Sequence, residues 1–178
     1  MRRHFRPLST EQTPRKILGG ESLHRLFAAC CESAFEIELG VADPSVIDYM
    51  TDLLMRFVHV RQTSGPRTPD GTLARSFVEM SHEAEQRSGQ QRCDLLRRIG
   101  DLTLFWTGVY PEALPKVQAI DSADAFLDLP AFGRRSYRAA ASEASDGSLL
   151  WRLAEEYDVC RDGLHLARRT WEEMAAAN

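Results

Sequence analysis

A chain of 178 residues that is 43% apolar has enough material for one domain with a buried core, and needs no second. The net charge of −4 divides into a basic start, with five Arg or Lys and one Glu in residues 1–16, and an acidic remainder of 17 basic and 25 acidic residues; this disfavours duplex nucleic acid, which is gripped through clustered basic side chains. No apolar run is long enough to cross a bilayer, and the charged N-terminus lacks the apolar segment of a signal peptide, so a cytoplasmic protein without membrane contact is expected.

Residues 1–19 combine Pro7, Pro14, Gly19 and Gly20 with little apolar content nearby, the composition of a mobile basic arm. Residues 20–178 read as a single helical domain. The first helix is predicted over Glu21 to Phe35, with Leu23, Leu26, Phe27, Cys30 and Ala34 on one face, ending before Gly40. Asp43-Pro44 marks the next start: the Asp oxygen can cap free amides, and Pro fits the first helical position because its missing N–H would be unpaired there. Val46, Met50, Leu53, Leu54, Phe57 and Val58 form that helix's stripe. A third helix is predicted from Gly71 to Arg87, its face Leu73, Phe77, Met80 and Ala84.

The fourth helix, Gln90 to Thr107, changes character along its length. Asp94, Arg97, Arg98 and Asp101 fall on one side as a ladder of opposite charges. Leu102, Leu104, Phe105 and Trp106 then point in different directions, the mark of a helix buried all round. Gly100 predicts a close helix crossing, and Gly108 a left-handed stop. Tyr110 to Asp128 holds short turns. A fifth helix opens at Pro130, and a long C-terminal helix over 149–175 starts behind a Ser148 cap. Leu150, Leu153, Tyr157, Cys160, Leu164, Ala167, Trp171 and Met174 make its stripe, whose mixed sizes and Gly163 suit an internal bundle helix better than a coiled coil. The fold class is all-α, an irregular bundle of five or six helices.

Several of these residues form an ordered pattern. Ile99-Gly100-Asp101, Leu104-Phe105, Thr107-Gly108 and Tyr110-Pro111 precede Gly133 and Tyr137 in G-x-x-x-Y spacing and the Leu150 to Tyr157 region; Asp48 to Val58 stands before them. The pattern resembles an uncharacterised family of bacterial all-helical proteins. The resemblance implies a cytoplasmic helical domain and carries no activity, ligand or functional residue with it. Leu129-Pro130 and the two arginines between Gly133 and Tyr137 depart from the pattern.

Four places have chemical potential. Asp101 stands where its helix enters the core, and a buried carboxylate must be paired or protonated; Arg97 and Arg98 are its expected partners. With Trp106 and Tyr110 they would wall a pocket or docking groove. Arg134, Arg135 and Arg138, near a helix start, read first as a solvent face of an arginine-rich chain and alternatively would suit an anion. Glu21/His24 and Glu79/His82 share the Glu-x-x-His spacing of di-metal bundles, but at 100° per residue they point away from their stripes. Cys30, Cys31, Cys93 and Cys160 lack CxxC spacing and read as reduced core residues. No nucleophile motif or phosphate loop occurs, so no catalytic residue and no cofactor are assigned. The expected function is interaction or regulation through a protein partner or self-association; the alternative is a metal- or small-ligand-binding bundle, with catalysis open to it.

Overall fold

The computed structural model describes residues 20–57, 76–119 and 124–177, and the architecture is organised around one helix. That helix, α4 (Gly89–Gly108), is packed against α2 (Pro44–Phe57), α3 (Phe77–Glu85), α6 (Leu129–Glu143) and α8 (Tyr157–Ala176), while α1 (Gly20–Glu32) packs on α2 and α8, α7 (Ser148–Glu155) packs on α6, and the short α5 (Leu114–Gln118) follows α4 in the chain. No strand occurs among the described residues, and none of their helices is long and apolar enough to cross a membrane. The predicted arm, Val58, Gly71 and Leu73 lie outside the described residues, and α3 begins behind the non-helical Ser76 that the predicted third helix ran through.

The expected all-round burial of α4 is present from Ile99 to Phe105, where every residue is buried, while Trp106 is only half-buried. Helix α6 runs antiparallel along it, with Cys93 reaching Ala140, Gly100 against Tyr137 and Thr103 beside Gly133. A Cβ on Gly100 would stand 2.7 Å from the Tyr137 ring, which is the close crossing the glycine predicted. Helices α2 and α8 complete the wrapping, through a Phe57–Phe105 stack at 4.7 Å and a contact between Thr107 and the Tyr157 hydroxyl at 3.4 Å.

Helix starts follow local chemistry. Asp43 Oδ1 accepts from Ser45 N at 3.0 Å, and Pro44 follows it at the head of α2. Asp128 likewise accepts from Ala131 N at 3.1 Å, ahead of Pro130 in α6. Helix α3 is capped twice. Ser76 meets Glu79 N, and the distant carboxylate of Asp124 accepts from Ser76 Oγ at 2.9 Å, Phe77 N at 2.8 Å and Val78 N at 3.1 Å.

The structure corrects four expectations. The first helix does not stop at Phe35: it widens into a π-helical turn, Ser33–Glu38, and the chain turns at Gly40 with φ +68°. The wider turn seats Phe35 where a Cβ on Gly163 would otherwise stand. Gly108 is not a left-handed stop, since the positive-φ glycines among the described residues are Gly40 and Gly89. Its smallness is used instead, because a Cβ there would lie 3.0 Å from the Arg161 carbonyl oxygen. The long C-terminal helix is broken at Glu156 (φ −100°, ψ 24°), although Glu156 N still bonds Arg152 O and Cys160 N bonds Glu156 O. Together with α5, that break makes eight α-helices among the described residues rather than five or six. Ser148 also does not cap: Gly147 holds that position, and Ser148 N donates to Asp146 Oδ1 at 3.1 Å.

Candidate functional site

Asp101 is buried as expected, at 5% exposure, but with different partners. Tyr49 on α2 and Tyr137 on α6 both donate to its Oδ1, at 2.6 and 2.8 Å, and Arg56 Nη2 donates to Oδ2 at 3.1 Å. The charge ladder does not extend to Asp101. Asp94 is exposed and takes a bond from Gln90 at 2.8 Å, whereas the same side of α4 one layer further on is covered by α2 and α6. Arg97 is exposed and acts on Asp101 only through its charge. Arg98, half-buried, lines a shallow α3–α4 groove with Glu83, Arg87 and Asp94.

Electrostatics in this cluster follow from burial. Loss of water raises the Asp101 pKa above the ordinary carboxylate range, opposed by Arg56, the two tyrosine hydroxyls and Arg97. Burial also raises Tyr137 and Tyr49, and the neighbouring Asp101 adds to both. Both phenols therefore remain donors to the carboxyl. Arg56 also lies over the Tyr49 ring, 5.3 Å from its centroid. Tyr49 and Arg56 were missed because their partner is distant in sequence; their shared helix face, seven positions apart, was the available signal.

The aromatic residues predicted beside Asp101 form a separate group. Trp106 and Tyr110 pack on Phe105, at 5.3 and 5.5 Å between centroids, and Arg168 lies 4.5 Å above the Tyr110 ring. Arg168 also bonds Glu112 and Glu172, closing this edge between α4 and α8.

The predicted anion-binding arginines diverge. Arg134 pairs with Asp158 at 2.6 Å, Arg138 directs two nitrogens to Glu155 Oε1 at 3.1 and 2.7 Å, and Arg135 lies over the Phe132 ring. The Ala131 amide at the start of α6 donates to Asp128. Protein carboxylates and a ring therefore occupy these groups.

Glu21 and His24 on α1, and Glu79 and His82 on α3, all lie on exposed faces. Glu21 pairs with Arg25, and His82 stands 3.6 Å from Glu85. Among the described residues no three His, Cys, Asp or Glu side chains converge as a metal site would require. The four cysteines are buried and unpaired. Burial pushes all four thiols up, Cys31 and Cys160 to about 12, which opposes the thiolate that nucleophilic or redox chemistry requires.

A feature that sequence reasoning did not single out lies between α6 and α7. Trp151 is 51% exposed and walls an open groove of about 540 Å³ floored by Ala141, Ser142, Gly147 and Ser148. Arg138, over the indole at 5.9 Å, and Arg152, paired with Asp43, stand at its margin. No family model, curated protein or solved structure matches the chain.

Proposed function

We propose that this protein acts by binding rather than by catalysis, as a helical interaction protein that engages a partner protein's apolar side chain. The half-exposed indole of Trp151 in the α6–α7 groove is the observation that carries the reading. Tryptophan and arginine dominate the energetics of interfaces because they offer large contact areas with a polar tip. Around Trp151 the arginines are already matched by Glu155 and Asp43, so the groove presents an aromatic wall and a floor of small residues. Such a surface favours an uncharged side chain. Four buried, unpaired thiols suit a reducing compartment, and the cytoplasm is the proposed location. Asp101 and the arginines of α6 are engaged by intramolecular partners and the buried cysteines are held as thiols, which favours binding over the ligand-binding or catalytic alternative.

Replacing Trp151 by a photo-crosslinking phenylalanine analogue in the full-length protein tests the proposal. Adducts are expected from position 151 and not from the exposed control position Glu79. Sedimentation of the adduct distinguishes a second copy from another protein. Trp151→Ala is expected to weaken the captured association at least about tenfold, as loss of an anchor side chain does. Equal labelling at 151 and 79 would sink the interaction reading.

A further inference from the structure

Asp101 divides its two oxygens between two kinds of partner. Oδ1 accepts from Tyr49 at 2.6 Å and Tyr137 at 2.8 Å, while Oδ2 receives Arg56 at 3.1 Å. The tyrosine bonds need an acceptor rather than a charge, so the carbonyl oxygen of a protonated carboxyl would still serve them. Arg56 is different. A guanidinium has five donors and no acceptor, so a proton on Oδ2 removes its counter-charge and leaves it only the weak acceptor capacity of a carboxylic hydroxyl.

Access is equally uneven. Tyr137 is fully buried, whereas 37% of the Arg56 side chain is exposed, so Arg56 alone of these two can turn to water without leaving its helix. The groups acting on the carboxyl come from each surrounding element: Tyr49 and Arg56 from α2, Tyr137 from α6 and Arg97 from α4 itself. Arg97 remains a neighbouring cation in either state.

We propose that Asp101 and Arg56 form a proton-operated clasp, in which uptake of a solvent proton on Asp101 Oδ2 leaves the carboxyl held by its tyrosines and frees Arg56 as a surface cation. An internal ion pair is thereby exchanged for a positive charge on the outer face of α2. Deprotonation returns the guanidinium to Oδ2. The direction of the carboxyl's own shift, upward through burial, supports a proton being held here above the ordinary carboxylate range. Linkage makes the coupling reciprocal: an anion that draws Arg56 outward favours protonation of Asp101 by the same free energy.

The test is an NMR titration of the full-length protein labelled with 13C at Asp carboxyls and 15N at Arg guanidinium groups. The Asp101 13Cγ signal is expected to titrate above the ordinary carboxylate range, with the Arg56 guanidinium signals moving at the same midpoint. Arg56→Gln, which leaves both tyrosine bonds to Asp101 in place, is expected to move the Asp101 midpoint further upward. The clasp is overturned if the Arg56 signals stay flat through the Asp101 titration. It is equally overturned if Asp101 titrates in or below the ordinary range, or if Arg56→Gln leaves its midpoint in place.

Discussion

Removal of the Asp101 carboxylate leaves Tyr137 with a buried hydroxyl lacking its acceptor, and takes the counter-ion from Arg56. A buried pair broken on one side costs roughly 3 to 5 kcal/mol. Arg56 reaches water, so Asp101→Ala should fall at the low end, about 3 kcal/mol by chemical denaturation, with the orphaned phenol as a main cause. Asp101→Asn retains an acceptor for both tyrosines and should cost only about 1 kcal/mol. A loss within about 0.5 kcal/mol for the alanine variant would contradict burial of the cluster. The pH dependence has a definite sign. Folding raises the Asp101 pKa, so its favourable contribution is fully present below the unfolded-state pKa and is lost as pH rises through the folded-state value. Wild-type stability should therefore decline relative to Asp101→Asn across that window, as a pH series of melting curves would show. Burial of Asp101 was legible in the sequence because Leu102, Leu104 and Phe105 follow it around the helix. The identity of its cation was not: spacing within α4 favours Arg97 and Arg98, while helix packing brings Arg56 from α2.

At the scale of the elements, glycine at helix crossings determines how closely neighbours approach. An exposed Gly→Ala change inside a helix normally stabilises by about 1 kcal/mol. At Gly163 the sign should reverse, because the new Cβ would fall on the ring of Phe35, which is fully buried and cannot swing aside. Overpacking of this kind costs roughly 1–3 kcal/mol. Gly163→Ala should lower the denaturation midpoint, and Phe35→Leu in the same chain should restore part of the loss. A wild-type midpoint in the single variant would mean that α1 and α8 are not locked at this contact. Gly100 made its close crossing legible because a helix-interior glycine needs a reason. The π-helical turn left no such mark: nothing in Ser33–Glu38 demands it, and the gap at Gly163 that its Phe35 fills lies far along the chain. The break at Glu156 is similarly silent, since the apolar stripe runs on through Leu153, Tyr157 and Cys160, all buried on the same side.

Across the whole molecule, contacts distant in sequence join the helices into one core rather than into separate hairpins. Phe27 packs on Trp171 at 5.1 Å and Phe35 on Gly163, which ties α1 to α8; Phe57 on Phe105 ties α2 to α4; Cys93 donates to Ala140 O at 3.4 Å between α4 and α6. The cysteines report on this connectivity because they lie on three of the helices. Cys30 and Cys31 on α1, Cys93 on α4 and Cys160 on α8 are each at most 4% exposed. A thiol reagent attacks the thiolate, and burial disfavours both access and ionisation, so labelling must wait for opening. Where opening is fast relative to labelling, the rate reports the free energy of the opening that exposes each thiol. In a single cooperative unit all four should react at a common slow rate under native conditions. Each rate should rise with denaturant along the slope of global unfolding, because each thiol is uncovered by the same transition. Mass spectrometry of partly labelled protein should accordingly find unlabelled and fully labelled chains with few intermediates. Early labelling of Cys30 and Cys31 with a shallow denaturant slope would instead mean that α1 and α2 open as a unit of their own. The Phe27–Trp171 and Phe35–Gly163 contacts would then be too weak to couple them to α8.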